Sequence, residues 1–248
     1  MKTRVVLVGI GGATCSGKTT LAKHLRRILP NSVIVHQDDF APPQELVPVH
    51  PVYGVQDWDR AEGAIEWSRM VNALEKVKQT GVIPPEHVSH DHLNEQKDIP
   101  IEGSVFQKWK SHFEAVEQEH RERGEEIKWV LVDGFLLYWD PRVFETLEHR
   151  VFLRVPHDVL KQRRHDRHGY HTAEGSLWRD PPNYWEQIVW PAYVAAHEPI
   201  FEDGDIENGK PNGKVPGLLL FDALKLSMSE MVEQVCGVLD TGLLRGES

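Results

Sequence analysis

The stretch Gly12-Ala13-Thr14-Cys15-Ser16-Gly17-Lys18-Thr19 reads G-x-x-x-x-G-K-T, and no other part of the chain restricts its fold so tightly. The apolar run before it, Val5 to Ile10, predicts a strand buried on both faces of a parallel sheet. After it, Leu21, Leu25, Ile28 and Leu29 recur at helical spacing until Pro30 ends the helix. The motif therefore lies on a strand-loop-helix turn. In that setting its glycines let the loop curl around an anion with backbone N–H groups pointing inward, and the helix N-terminus adds positive dipole. Lys18 is expected to reach the β and γ phosphates of a nucleotide, and the Thr19 hydroxyl to take one position on Mg²⁺. A chance match would rarely fall between a buried strand and an amphipathic helix. Gly12 to Thr19, with Thr20 following, is read as a P-loop, which implies a bound nucleoside triphosphate and leaves the reaction open.

Length and charge narrow the class. A chain of 248 residues with one apparent core predicts a single α/β domain. A formal net charge of -10 argues against nucleic acid as a partner, so phosphate recognition must be local. No apolar run of membrane-spanning length exists, and the first residues lead straight into a strand, so a soluble, cytoplasmic protein is expected, with no membrane and no obligate protein partner. Cys15 in the loop and Cys236 in the last helix are expected to be buried thiols rather than a disulfide.

Along the chain, Ser32 to His36 predicts a second buried strand ending in Gln37-Asp38-Asp39-Phe40. Carboxylates at the carboxyl end of a strand sit where open α/β sheets place ligands. Side-chain alternation would send only one of the two aspartates into the site, as a general base for an attacking hydroxyl; a polar turn is the alternative. Pro42, Pro43, Pro48 and Pro51 mark a loop leading to Trp58-Asp59, ahead of a helix with Ala64, Trp67, Val71, Leu74 and Val77 on one face. Asp59 is either that helix's N-cap or an acceptor for vicinal ribose hydroxyls. Trp58 and Tyr53 are candidates to stack on a base. Residues 81 to 103 hold Pro84, Pro85, Pro100 and the histidines 87, 90 and 92, whose polar, cysteine-free surroundings speak against a metal site. Phe106, Trp109, Phe113 and Val116 predict a helix, and the charged run Glu117 to Glu126 a solvated face.

Ile127 to Val132 predicts a third strand, ending in Asp133-Gly134-Phe135, which has the form of a magnesium-holding carboxylate at a strand end. Strand Arg150 to Val155 follows, then a helix from Asp158 carrying Lys161, Arg163, Arg164 and Arg167, and a loop through Gly169-Tyr170-His171 to Asp180-Pro181-Pro182. Arginines on such an arm suit a mobile lid, over about residues 163 to 182, that closes over a nucleotide and spreads charge from the transferring phosphoryl group. Tyr184 to Glu198 predicts a helix kinked at Pro191, Leu218 to Phe221 a fifth strand, and Met228 to Leu239 a closing helix.

The P-loop, Gln37-Asp38-Asp39-Phe40, Trp58-Asp59, Asp133-Gly134-Phe135 and the arm Arg163-Arg164 to Arg167-His168-Gly169-Tyr170 together resemble nicotinamide riboside kinases, most of all the fungal members, which share the long segment of about residues 81 to 125. The likeness runs from about Val5 to Phe201. It implies an α/β, P-loop kinase-like three-layer fold with a five-stranded parallel sheet, and transfer of a phosphoryl group from ATP or GTP to a small-molecule nucleoside. It also implies residue roles. Asp38 would be the general base; Lys18 and Arg164 would contact phosphates, with Arg163 and Arg167 of the lid on the nucleotide side. Thr19, Asp38 and Asp133 would surround Mg²⁺, and Asp59 and Arg164 would hold the ribose. The base would lie among Tyr53, Trp58 and Tyr170, because the residue after Asp-Asp-Phe, aromatic in animal members, is Ala41 here. The magnesium carboxylate is an aspartate where some members have glutamate. Two other readings stay open: a uridine or cytidine kinase on the same fold, and a non-catalytic nucleotide-binding protein.

Overall fold

The strand Lys2–Gly12 (β1) shows how this sequence builds two cores from one run. Successive side chains point to opposite faces, so Val5 and Leu7 enter one apolar cluster while Val6, Val8 and Ile10 enter the other. Both faces are covered, which is why the segment reads as continuously apolar rather than alternating. Fully burying a side chain such as Leu7 contributes about 1.5–3 kcal/mol.

The computed structural model describes residues 1–85, 87–94, 97–167 and 169–245. His168 of the arm motif lies outside them. In chain order the elements after β1 are α1 (Lys18–Ile28), β2 (Ser32–His36), α2 (Ala61–Ala64), α3 (Trp67–Thr80), α4 (Gly103–Glu122), β3 (Glu125–Gly134), α5 (Pro141–Phe144), β4 (His149–Arg154), α6 (His157–Asp166), β5 (Tyr170–His171), β6 (Leu177–Trp178), α7 (Trp190–His197), β7 (Leu218–Asp222) and α8 (Met228–Arg245). Five strands form a parallel sheet in the order β2-β3-β1-β4-β7. Helices α1, α4 and α8 pack on one face through Leu21, Leu25, Trp109, Phe113, Val232 and Val235. Met70, Leu74 and Val77 of α3 and Tyr193 of α7 cover the other. The three-layer expectation and the five parallel strands are both met. Among the described residues no helix is long and apolar enough to cross a membrane.

Four local expectations are corrected. The helix expected after Asp59 is two helices, because the chain breaks at Ile65 and Glu66, where the Glu66 N–H donates to the Phe40 carbonyl at 2.8 Å. The run Glu117 to Glu126 is not wholly solvated. Glu117 is buried, its Oε1 accepting from Arg121 Nε at 2.9 Å, and buried His120 lies 3.0 Å from Glu125. Ahead of Pro191 the backbone widens into a π turn, Trp185–Val189, with the Trp190 N–H donating to the Trp185 carbonyl. That wider turn makes room for the proline ring and its missing N–H. The arm after α6 is not only loop: Tyr170 pairs with Trp178 and His171 with Leu177 in an antiparallel hairpin, β5 and β6. The segment 81–125 also supplies more than an excursion, since α4 is one helix of the α1 and α8 layer.

At the end of β1 the sheet comes against Tyr138, whose hydroxyl donates to the Val151 carbonyl at 2.7 Å with the Gly9 carbonyl at 3.1 Å. A Cβ on Gly11 would stand 2.4 Å from the Tyr138 ring. Because Tyr138 is fully buried and cannot swing away, Gly11→Ala is expected to cost about 1–3 kcal/mol. In a chain of this size that lowers Tm by roughly 2–12 °C, measurable by thermal unfolding. An unchanged Tm would mean that the ring accommodates the methyl group.

Candidate active site

The phosphate loop joins β1 to α1 and leaves the start of α1 open for an anion. Gly17 precedes the helix at φ 99°, no side chain caps the helix, and its first turn carries no acid. Its free N–H groups therefore point at the loop's interior with no internal acceptor. Gly12 has φ 144°, and a Cβ there would meet the Leu153 carbonyl at 2.5 Å, so close packing of the loop on β4 requires glycine. Cys15, half-buried rather than buried, holds a left-handed φ of 61°. Such strain in a non-glycine residue is characteristic of functional loops. The Ser16 hydroxyl is buried without a partner. Lys18 is buried with its ammonium 3.5 Å from the Ala13 carbonyl, a weak contact that a phosphate would replace.

Next to the loop, the Thr19 hydroxyl donates to Asp133 Oδ2 at 2.6 Å, across the end of β3. Asp133 is buried, and its Oδ1 has no partner. Burial pushes its pKa up, but the hydrogen bond from His36 and the charge of Lys18 outweigh this and lower it, so the carboxylate is held ionised. An orphaned, ionised carboxylate oxygen beside a hydroxyl and a phosphate loop fits Mg²⁺, which takes oxygen ligands and usually only one or two carboxylates, with substrate phosphates and water filling the rest. Among the described residues no group of three or more His, Cys, Asp or Glu side chains is arranged to hold a metal. His36 sits between Asp133, at 3.1 Å, and Asp91, at 3.6 Å. Burial opposes its charge, yet the hydrogen bond to Asp133 and the surrounding carboxylates raise its pKa.

The two aspartates after β2 do not follow strand alternation, because Gln37–Phe40 is a single 3₁₀ turn. Both line the cavity, in different states. Asp38 opens into it; Asp39 is buried, with Oδ2 3.2 Å from His87 Nε2. Desolvation by the enclosing walls raises the Asp38 pKa against the pull of Lys18, and Asp133 adds to the rise. Of the pair, Asp38 is thus the free carboxylate facing the cavity.

Asp59 is not an N-cap. Arg60 holds that position with no side-chain cap, and in the turn ahead of it Asp57 Oδ1 accepts from the N–H groups of Asp59 at 3.2 Å and Arg60 at 2.9 Å. Asp59 is instead buried against the cavity, with Oδ1 3.7 Å from Arg164 Nη1 and Oδ2 lacking any partner. Burial pushes its carboxyl up to about 6 against the attraction of Arg164.

Arg164, at the end of α6, is buried with every nitrogen occupied. Nε and Nη2 grip Asp180 at 2.7 and 2.9 Å, Nη1 donates to Thr14 Oγ1 at 3.2 Å, and Nη2 donates to the Tyr170 hydroxyl at 2.5 Å. Arg163 is exposed, its Nη1 donating to the Cys15 carbonyl at 3.2 Å, so the arm lies against the phosphate loop. Arg167 lies over the Tyr170 ring at 5.4 Å and lines the cavity.

Of the residues singled out from sequence, Thr14, Lys18, Thr19, Asp38, Trp58, Asp59, Asp133, Arg164, Arg167 and Tyr170 line one cavity. Gly12, Ala13, Cys15, Ser16, Gly17 and Thr20 belong to the loop or the first turn of α1 beside it. Tyr53 is not brought there: it is 44% exposed and stacks on His50 at 4.8 Å. Residues not anticipated also line the cavity, among them His36, His90, Asp91, Asn94 and the lid residues His171 to Ala173.

No family model matches the chain. Three proteins similar to it are each described as nicotinamide riboside kinase. That of Saccharomyces cerevisiae is 31% identical over 205 residues, covering 82% of both chains. The protein of Schizosaccharomyces pombe is 33% identical over 207 residues, 83% of this chain and 85% of its own. That of Eremothecium gossypii is 34% identical over 203 residues, 82% of this chain and 80% of its own.

Proposed function

The chain belongs to the nicotinamide riboside kinase family, and on that premise we propose that it transfers the γ-phosphoryl group of ATP or GTP to the 5′-hydroxyl of nicotinamide riboside, giving nicotinamide mononucleotide and a nucleoside diphosphate. The observation that carries the acceptor reading is Asp59. A buried carboxylate with one oxygen unpartnered, beside a buried arginine and on the same cavity as Asp38, suits two vicinal hydroxyl donors. A ribonucleoside presents that pair together with a primary hydroxyl.

In this mechanism the phosphate loop and Lys18 hold the triphosphate, with Lys18 leaving the Ala13 carbonyl for phosphate oxygens. Thr19 and Asp133, with Asp38 beside them, would hold Mg²⁺, which neutralises charge on the phosphate oxygens. Asp59 and Arg164 orient the ribose, and Asp38 accepts the proton of the 5′-hydroxyl as its oxygen bonds to the γ-phosphorus and the bond to the diphosphate breaks. Arg164, with Arg163 and Arg167 on the lid of about residues 163 to 182, spreads the developing charge. Trp58 and Tyr170 flank the base. The free thiols Cys15 and Cys236 suit the reducing cytoplasm, where the phosphate donor is supplied. Neither nucleic acid nor a partner protein is required.

The test is Mg²⁺-dependent release of ADP with nicotinamide riboside, nicotinic acid riboside, uridine and cytidine in parallel, with product mass checked for one added phosphate. Turnover of the pyridine ribosides well above the pyrimidines is expected. Preference for uridine or cytidine would overturn the acceptor assignment, and tight ATP binding with no turnover of any acceptor would favour a nucleotide-binding protein instead.

A further inference from the structure

The lid hairpin has two residues in each strand and makes no pairing with the main sheet. An isolated two-stranded hairpin is marginal on its own, so something else must set its position over the cavity. The segment ahead of α4 supplies those contacts. Asn94 Oδ1 accepts the His171 N–H at 2.9 Å, and His90 Nδ1 donates to the Ala173 carbonyl at 2.8 Å. Gly175 packs against the His90 ring so closely that a Cβ there would come within 3.1 Å of it. The same segment is tied to the body of the protein. Asp91 pairs with Lys23 of α1 at 2.8 Å, His87 with Asp39 at 3.2 Å, and His24 of α1 hydrogen-bonds the Ile99 carbonyl at 2.8 Å.

We propose that Asn94 and His90 are positioning residues for the acceptor nucleoside, latching the lid hairpin to the body of the enzyme so that Tyr170 and its partner Arg164 close over the substrate. The inference rests on the acceptor reading above. It gives the segment before α4 a specific role: Ala41 offers no aromatic wall, and the wall is instead the hairpin held down by Asn94 and His90. The hydrogen bonds of Asn94 and His90 go to the hairpin, so the latch acts on acceptor affinity rather than on nucleotide binding.

The test compares Asn94→Ala, Asn94→Asp and His90→Ala with the unaltered enzyme. Asn94→Ala removes one acceptor from a backbone N–H, and is expected to raise KM for nicotinamide riboside roughly five- to tenfold, with KM for ATP unchanged. His90→Ala should move KM in the same direction. Asn94→Asp keeps an acceptor at that position and should restore most of the loss. A second readout is independent of activity: amide hydrogen exchange over residues 169 to 178 should quicken in Asn94→Ala and return in Asn94→Asp. Equal rises in both KM values, an unchanged KM for the riboside, or unchanged exchange would overturn the latch. If the unaltered enzyme does not phosphorylate the riboside at all, the acceptor reading fails, and the exchange result still decides whether Asn94 holds the hairpin.

Discussion

Replacing Asp38 by asparagine should lower kcat by roughly 10²–10⁴ without loss of thermal stability. The size follows from what a positioned general base contributes. The 5′-hydroxyl must lose its proton as it attacks, and Asp38 is the carboxylate that opens into the cavity beside Lys18 and Asp133. Asparagine keeps the shape and cannot take the proton. Stability should hold or rise, because the fold raises the pKa of Asp38 and so disfavours its ionised form at neutral pH. The same shift gives the pH profile a sign. A base works only when ionised; with its pKa above the ordinary carboxylate value, activity is present above that raised pKa and is lost as pH falls through it. In Asp38→Asn that acid limb should vanish. The measurement is kcat against pH for both proteins. A variant with near-normal turnover would remove Asp38 as the base and turn attention to Asp39, which would first have to leave His87.

Loss of Arg164 should damage both fold and chemistry. Its guanidinium is buried, and Arg164→Ala would strip the cation from Asp180 and from Asp59 and free the Tyr170 hydroxyl. Removing one partner of a buried pair costs about 3–5 kcal/mol, and because Asp180 is 25% exposed, solvent screening places this case near the low end, about 3 kcal/mol. That corresponds to a fall in Tm of roughly 6–12 °C. Turnover should drop by about 10³, the lower range for an arginine that stabilises a transferring phosphoryl group. Arg164→Lys separates the two effects. Lysine keeps the charge but not the planar fork that grips Asp180 while reaching Thr14 and Tyr170, so it should recover part of the stability and little of the rate. Full turnover in Arg164→Lys would show that only the charge matters at this position.

The parts of the site legible in the sequence are those built from neighbouring residues. The phosphate loop is contiguous, and its strand and helix are specified by the apolar periodicity on either side; such loops bind through backbone N–H groups, so little tertiary information is needed to recognise one. Asp133 and the aspartates after β2 were visible for a related reason. A carboxylate ending an apolar run stands out, both at the end of β3, buried over its second half, and after β2, which is not the fully buried strand expected but a half-buried one at the sheet edge with only Val35 buried.

Long-range packing decided the rest. Whether Asp59 caps a helix or faces a ligand depended on the helix starting only after Arg60 and on Arg164 arriving from α6, more than a hundred residues later. Which of Asp38 and Asp39 is free was settled by His87, from a segment with no periodicity to read. Tyr53 and Trp58 looked alike as candidate walls, and only the path of the loop left one on the surface beside His50 and turned the other to the cavity. The sequence by itself determined a phosphate-binding α/β sheet, because backbone geometry and apolar periodicity are local. Tertiary structure alone decided which carboxylates, arginine and hairpin residues line the proposed acceptor site, because they acquire their states from partners that are distant in the chain.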